Sequence, residues 1–423
     1  MNQSVILVES GNRGAEIAAF RQLGYNVILL TTGLIPYDSC FQEQANQIIS
    51  DKKLIHYEIL EEKIRELHDI YSIKTVCSTS DFFIYNTSLI CEKYCYPFLN
   101  SNAAYTFHFK NKFRNKQKEL NYNFPEYHHF QNISDALQFY NETNKKQWVF
   151  KPVNGNESVA VKLIHSETDL MECYKQLQYL SRFTGSLMQP EFLLEEYIEG
   201  NIYSCEFIAE NDQIQILGVT NRLMSNPPFF VELGYNFPIE NSIAQEIIEE
   251  TKRFVYDFQY LFGPCHIEYI IGTDKTIYIL EVNPRLVGPP NPWMIDRSLD
   301  FSVFNHICKL FINGKTCEIP TGIPKFTTCL EVTSPIDGYL KNILVDQSYL
   351  IRDDVQIIFM KEKNEYIRKA SSNTDILARI LTVAETLQEA QRLANEIYEK
   401  IQLEIKIKPL LNFQLNNEWL IKS

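Results

Sequence analysis

Residues 265–283 read CHIEYIIGTDKTIYILEVN and confine two glutamates to what looks like one hairpin. The runs 265–271 and 276–282 are rich in β-branched and aromatic residues. Gly272-Thr273-Asp274-Lys275 between them is a hairpin signal. Side chains alternate faces along a strand. If Ile271 pairs with Thr276, Glu268 lies opposite Ile279, and Glu268, Ile279, Glu281 and Asn283 share one face. Glu268 and Glu281 are then diagonal neighbours at roughly 7–8 Å. Two carboxylates that close, on an otherwise apolar hairpin, repel each other unless a cation sits between them. A one-residue slip would separate them. Hard, few oxygen ligands suit a magnesium ion bridging nucleotide phosphates. The bland alternative is two solvated strand charges. The Asn283-Pro284-Arg285 that follows tips the reading towards metal.

The chain around this hairpin has 423 residues, 45% of them hydrophobic, enough for two to four packed domains. Its net charge of −13 argues against a nucleic-acid surface. The start, MNQSVILVES, has no basic region before its short apolar run and reads as a first β-strand, not a signal peptide. No apolar stretch reaches about 18–20 residues, so no membrane span is expected. The ten cysteines are scattered, several in apolar contexts (Cys77, Cys205, Cys265, Cys308), as in a reduced cytoplasmic protein. Cys91 and Cys95 lack a matching second pair, which argues against a zinc site.

Residues 5–8, the Gly11/Gly14 turn, the apolar positions Ile17, Phe20 and Leu23, and residues 27–30 make a β–loop–α–β unit of a parallel sheet. The three-glycine dinucleotide pattern is absent. A strand is expected at 75–79 and a helix at 81–94. Residues 107–120 then form a basic amphipathic helix with Lys110, Lys112, Arg114, Lys116 and Lys118, ended by Pro125. Strands are expected at 148–152, 159–164, 193–198, 203–209 and 214–219, with helices at 242–258 and 302–311. After Lys315, strands at 325–332, 356–360 and 376–383 precede a strongly periodic helix at 387–401. No repeat or low-complexity tether separates these regions, so they are expected to pack together.

Several residues invite a chemical reading. Lys112 sits among basic neighbours, where a solvated face is the ordinary alternative. Lys151 ends the apolar strand Trp148-Val149-Phe150 directly before a proline and a glycine loop, so it points into a cleft more readily than into water. The loop 154–158, up to Ser158, offers backbone N–H groups to phosphate oxygens. Glu195 and Glu196 end another strand; alternation lets only one face a cleft. The extended segment running on through Tyr197 and Ile198 could present a carbonyl and an N–H to a purine edge. Arg222 precedes a proline-rich loop, and Glu232 and Tyr235 follow Phe229-Phe230. A carboxylate near aromatics suits an ammonium group, with an ordinary surface loop as the alternative.

In this order, FKNKFRNKQKEL, WVFKPVNGNESVAV, FLLEEYIEGNIYSCEF and HIEYIIGTDKTIYILEVNPRL resemble the ATP-grasp superfamily. NPPFFVELGYNFP and the EVNPRL tail make the chain similar to L-amino-acid ligases and related carboxylate–amine ligases. ILARILTVAETLQEAQRLANEIYEKI resembles the C-terminal domain that such ligases share with biotin carboxylases. The resemblance implies an α/β and α+β architecture: an N-terminal parallel α/β domain (1–104), a two-lobed ATP-grasp domain (105–316) and a small C-terminal α+β domain (317–423). It implies an ATP-dependent ligase that makes an amide through an acyl-phosphate, with small-molecule partners and, as a base-rate expectation, a homodimer. A biotin-carboxylase-like carboxylase and a non-catalytic ATP-binding module are the rivals.

Carried onto this chain, the resemblance assigns Lys112, Lys151 and Ser158 to the ATP phosphates, and Glu195, Glu196, Tyr197 and Ile198 to the adenine. Glu268, Glu281 and Asn283 hold Mg2+, with Mn2+ as the substitute. Arg285 stabilises the acyl-phosphate, and Arg222 holds a substrate carboxylate or the moving phosphate. Glu232 meets the amino group of the first substrate, beside Tyr235, with Gly288 on the acceptor side. Two positions depart from the family. Ile202 stands where a ribose-binding glutamate is usual, and Tyr235 stands where the amino-acid ligases tend to have histidine. The double proline after Gly288 also reshapes the acceptor pocket.

Overall fold

The structure is a computed structural model that describes residues 3–143, 147–155, 159–185, 187–211, 213–315, 318–319 and 324–406. Four strands come first: β1 (Ser4–Val8), β2 (Asn26–Thr31), β3 (Gln47–Ser50) and β4 (Ile73–Cys77). They pair in parallel in the order β3-β2-β1-β4. Both faces of this sheet are covered, as parallel sheets require. Ile17 and Phe20 of helix Ala15–Gln22 and Ile307 and Phe311 of helix Val303–Asn313 cover one face. Leu60, Ile64 and Leu67 of helix Tyr57–Ile70 cover the other. The strand order reverses between β1 and β4, where α/β sheets open a crevice at the strands' carboxyl ends. The loops after β1 and β4 meet there. The helix expected from Asp81 starts only at Ile84, which leaves Asp81 on the preceding turn.

The basic helix expected over 107–120 is two helices, Ser101–His108 and Lys110–Glu119. Phe109 between them is extended, at φ −111 and ψ 112. The Lys110 N–H is donated to the Val153 carbonyl at 2.8 Å, which pins the second helix to a neighbouring strand end. This break resets the phase. Phe113, Arg114 and Gln117 face inward and Lys112 faces solvent.

The second sheet has β5 (Tyr127–Phe130), β6 (Trp148–Pro152), β7 (Lys162–Ile164) and β8 (Phe192–Glu196), antiparallel in the order β5-β8-β6-β7. Trp148, Phe150, Phe192 and Leu194 pack against helices Ile133–Glu142 and Glu167–Phe183. Alternation therefore turns Lys151 and Glu195 to the opposite face.

The third sheet is the largest. Its strands are β9 (Gly200–Glu210), β10 (Gln213–Met224), β11 (Glu232–Phe237), β12 (Phe262–Gly272), β13 (Ile277–Asn283), β14 (Phe326–Thr333), β16 (Val355–Phe359) and β18 (Ile376–Ala384). They run antiparallel as β13-β12-β9-β10-β11-β14-β18-β16. The β11–β14 pairing carries this sheet across the boundary expected at 316/317, so the last two regions share hydrogen bonds as well as a core. A small sheet of β15 (Gly338–Leu344), β17 (Tyr366–Ile367) and β19 (Gln402–Lys406) completes the C-terminal region. One face of the large sheet buries Tyr203, Cys205, Phe207, Cys265, Ile267 and Tyr269 against helix Ser242–Asp257. The other face turns towards the N-terminal region, through a core that contains Ile208, Leu217, Phe237 and Cys329 together with Val5 and Leu7.

Candidate active site

The polar residues of the large sheet lie on the face turned towards the N-terminal region. Their placement depends on two bulges. In the opening hairpin Ile271 pairs with Ile277, not Thr276, and Glu268 lies directly opposite Glu281, not Ile279. A register shift between Glu268 and Tyr269 leaves Leu280 as an extra residue. The bulge moves Ile279 into the core on the opposite face and leaves Glu281 and Asn283 facing the site. The expected neighbourhood of Glu268 and Glu281 is therefore present, with the two as a direct cross-strand pair rather than a diagonal one. His266 lies opposite Asn283.

A bulge frees carbonyls that a regular ladder would use. Here Arg114 and Gln117 satisfy them. Arg114 Nη2 donates to the Leu280 carbonyl at 2.6 Å, and Arg114 Nη1 and Gln117 Nε2 donate to Ile279 O at 3.2 and 3.0 Å. Arg114 also pairs with Glu195 through Nε at 2.7 Å, and both side chains are 1% exposed. Lys151 Nζ reaches the other Glu195 oxygen at 2.7 Å. Burial works against an ionised Glu195, but the Arg114 and Lys151 charges outweigh it and hold its carboxyl down at about 2. One buried arginine thus ties the second sheet to the bulge of the third.

Glu268 and Glu281 each have a cation from the protein. Lys110 Nζ lies 2.8 Å from Glu281 and 3.3 Å from the Gly155 carbonyl. Arg222 reaches Glu268 at 3.1 Å and also pairs with Glu232. Burial opposes ionisation of Glu268; Arg222 and the His266 hydrogen bond override it and lower its pKa. The buried His266 sits between acids, with Nδ1 2.9 Å from Glu206 and Nε2 3.2 Å from Glu268. Burial disfavours its charged form, but Glu206 wins and raises its pKa. Nε2 also lies 2.9 Å from Arg222 Nη2. It accepts from Arg222 only when unprotonated and donates to Glu268 only when protonated, so its proton decides which bond forms.

The second bulge lies in β11. Leu223 pairs with Gly234 and Met224 with Glu232, which skips Leu233 and brings Glu232 onto the face of Tyr235. Tyr235 Oη donates to Glu232 at 2.8 Å. Burial, together with the Glu232 charge, keeps the Tyr235 hydroxyl protonated well above its usual range. Arg285 turns towards the N-terminal sheet. Its Nε and Nη2 grip both oxygens of Asp81 at 2.8 and 2.7 Å, and Nη1 donates to Leu286 O at 3.1 Å. A cleft lined by Asp81, His108, Lys110, Gly155, Glu281 and Asn283 lies where the three sheets meet.

Several expected positions fall elsewhere. Lys112 is exposed and lies 5.8 Å over the Tyr105 ring; the two-helix break puts Lys110 in the cleft in its place. Ser158 lies outside the described residues. The N–H groups of Glu196 and Tyr197 are already donated to Glu126 O and Gln147 O, both at 2.8 Å, so neither is free for a purine. Ile198 is half-buried. Gly288 has open space where a Cβ would point, before a cis Pro289–Pro290 bond. Ile202 pairs with Ile270 on the face of Ser204 and Glu206, which extends that face with an apolar pair. Sequence reasoning missed Lys110 as the inward lysine, Arg114, His266, Glu206, Asp81 and Asn373. Two signals were available: Lys110, Arg114 and Gln117 have helical spacing, and His266 shares strand parity with Glu268.

Among the described residues, no three or more His, Cys, Asp or Glu side chains gather as a metal cage. Glu268, Glu281 and Asn283 offer two carboxylates and an amide oxygen. That is too few for an all-protein cage and fits a magnesium ion that completes its shell with phosphate and water oxygens.

Residues 109–289 match the family described as ATP-grasp domain. The chain carries an ATP-grasp domain. The match runs from the start of the Lys110 helix to the cis-proline tail, and so contains both bulges together with Lys110, Lys151, Arg222, Glu232, Glu268 and Glu281. The chain is also 24% identical, over 260 residues, to an uncharacterized protein, y4rH, of Sinorhizobium fredii. That alignment covers 61% of this chain and 53% of the relative, so the chain spans about half the length of that curated relative. Among solved structures it is similar to an L-amino acid ligase from Bacillus licheniformis, with a TM-score of 0.79 at 17% identity over 96% of this chain and 99% of that one. It is also similar to phosphoribosylglycinamide synthetase from Anaerococcus prevotii, with a TM-score of 0.68 at 19% identity over 96% of this chain and all of that one (100%). At these identities the likeness describes the fold around the ATP-grasp domain. Among the described residues, no helix is long and apolar enough to cross a membrane.

Proposed function

We propose that this chain is an ATP-dependent carboxylate–amine ligase with small-molecule substrates, forming an amide of the amino-acid or dipeptide type. The observation that carries the reading is the facing pair Glu268 and Glu281 with Asn283. They share one sheet face with Arg222 and Glu232, across from a second sheet that presents Lys151. In the first step a substrate carboxylate oxygen attacks the γ-phosphorus of ATP, forming an acyl-phosphate and releasing ADP. In the second an amine nitrogen attacks the acyl carbon and expels inorganic phosphate, and the amine's proton passes to solvent. Magnesium, held by Glu268, Glu281 and Asn283, would neutralise phosphate charge. The chain's own residues supply position and countercharge, as phosphoryl transfer demands.

Lys110 and Lys151 would take the phosphates, each exchanging a carboxylate partner for a phosphate oxygen. Arg222, nearly buried and paired with Glu232 and Glu268, would hold a substrate carboxylate or the transferring phosphate. Arg285, aligned by Asp81, meets the negative charge that develops at the acyl centre. Glu232 has one oxygen with a single partner and can take a substrate ammonium group.

A phosphate-release screen over pairs of amino acids and small carboxylates, with mass spectrometry of the products, tests the reading. Amide formation with stoichiometric ADP is the expected outcome. Release that instead needs bicarbonate and free biotin would make the chain a carboxylase. ATP binding with no release in either screen would make it a nucleotide-binding module.

A further inference from the structure

From outside the ATP-grasp domain, Asn373, in the turn before β18 of the C-terminal region, bonds to Glu232. The two residues exchange reciprocal bonds. The Glu232 N–H donates to Asn373 Oδ1 at 3.0 Å, and Asn373 Nδ2 donates to Glu232 Oε2 at 3.0 Å. This pairing fixes the amide's orientation. A flipped amide would set its NH2 against an N–H and its oxygen against a carboxylate. The turn that carries Asn373 is itself tied down. Asp375 Oδ2 accepts the N–H groups of Ser371 and Ser372 at 3.0 and 3.1 Å, and Arg368 holds Oδ1 at 3.1 Å. Glu232 begins β11 immediately beside the bulge, so its carboxylate needs orienting contacts beyond its own strand. Arg222 and Tyr235 supply two of them from the large sheet. Asn373 supplies the third.

We propose that Asn373 is a positioning residue for Glu232, and that the C-terminal region thereby sets how tightly the amino-bearing substrate is held. The proposal rests on the reading of Glu232 as the acceptor of a substrate ammonium group. Asn373 limits where the Glu232 carboxylate can point, leaving the Oε1 side for the substrate. The rigid turn 371–375 passes that constraint from the C-terminal region to the substrate, without touching the ATP phosphates.

The test measures phosphate release by the full chain with ATP, magnesium and an equimolar mixture of the twenty L-amino acids. The variants are Asn373→Asp, Asn373→Ala, Glu232→Gln and Thr374→Ala. Asn373→Asp keeps an acceptor for the Glu232 N–H but sets a carboxylate against Glu232. Thr374→Ala alters the exposed part of the same turn without touching Glu232. Both Asn373 variants should raise KM for the mixture by about tenfold or more, the size of one lost bond to a charged group. KM for ATP should stay within about twofold, and Thr374→Ala should change neither, because only a positioning role splits the two constants. If Glu232→Gln raises KM for the mixture and the Asn373 variants do not, the role of Asn373 falls and that of Glu232 stands. If Glu232→Gln leaves that KM unchanged, the reading of Glu232 falls and takes the proposal with it. No phosphate release by the unaltered chain overturns both. Loss of cooperative unfolding in both Asn373 variants would make the residue structural and overturn the positioning role.

Discussion

Arg114→Met tests whether the ATP-grasp domain is held together by the contact that joins its two sheets. The substitution keeps a long apolar side chain but removes every donor. Glu195, 1% exposed, would keep only Lys151, and the Leu280 carbonyl would lose its 2.6 Å partner. Breaking a buried ion pair from one side costs about 3–5 kcal/mol, because it leaves a buried charge short of its partner. The pH dependence reports on the same contacts, with Lys151 included. Glu195 has a folded pKa of about 2 against an ordinary value of 4.5. A depressed carboxylate pKa stabilises the fold fully above the unfolded value, and that stability is lost as pH falls from 4.5 towards 2. About 2.5 pKa units correspond to about 3 kcal/mol, the same order as the ion-pair figure. With Arg114 gone, the burial that Arg114 now offsets should raise the Glu195 pKa, so ionised Glu195 becomes a cost at neutral pH. Urea unfolding followed by circular dichroism at pH 7 and pH 4 should therefore show a large deficit for Arg114→Met at pH 7 that narrows at pH 4. Adding Glu195→Gln to Arg114→Met should recover much of the loss. A deficit below about 1 kcal/mol, or one that does not change with pH, would refute the reasoning.

Three other outcomes are expected. Lys110→Met should lower phosphate release by about 10²–10³-fold, as for one lost preorganised donor, while Lys112→Met leaves it within about twofold; equal effects would restore Lys112 to the site. Asp81→Asn takes the charge from the fork that aligns Arg285 and should slow turnover on the order of tenfold, about 1.4 kcal/mol, with KM for ATP unchanged in steady-state kinetics. Gly11→Ala places a Cβ 2.2 Å from the Thr79 carbonyl, where backbone must move, so thermal denaturation should show a loss of about 1–3 kcal/mol.

The parts of the chain that were legible are those where one residue's neighbours in sequence decide its place. Parallel strands read as short apolar runs because both faces of that sheet are covered, and Val5–Val8 with Val27–Leu30 are such runs. The helix at Leu387–Lys400 declared itself by its period. Strict alternation failed wherever a strand carries an extra residue. Nothing local marks Leu280 as bulged, because what stabilises the bulge is Arg114 and Gln117, more than 160 residues earlier in the chain. The expected pairing of Ile271 with Thr276 was therefore wrong in register, although Glu268 and Glu281 do meet. Lys112 misled for a similar reason. A helix read as continuous through Phe109 has the wrong phase, and the break is fixed by the Lys110 N–H reaching the Val153 carbonyl, a contact no window of sequence contains. Asp81, Glu206 and Asn373 carry no motif; they act by pairing with charged or polar groups that the sequence separates widely.

The two bulges answer one problem. A regular antiparallel sheet with one core face would bury half of each strand's side chains and leave the rest in strict alternation. The polar face here needs Glu281 beside Glu268 and Glu232 beside Tyr235, and alternation from the core residues Ile279 and Tyr235 would send each acid to the wrong side. One extra residue corrects each: Leu280 in β13 and Leu233 in β11. Each correction leaves a local demand that the fold meets by a distant group. At Leu280 it is a buried guanidinium. At Leu233 it is Gly234, whose missing Cβ lets the strand come within reach of the Cys329 carbonyl, 2.8 Å from where that atom would sit, and Asn373, which bonds the Glu232 N–H on the far side. Arg114 lies within the ATP-grasp domain, whereas Cys329 and Asn373 belong to the C-terminal region. The acid proposed for metal is thus set by the domain itself, and the acid proposed for substrate is set from outside it. On the proposed reading, that division would let substrate preference change by alteration of the C-terminal region while the face proposed for phosphate stays as it is.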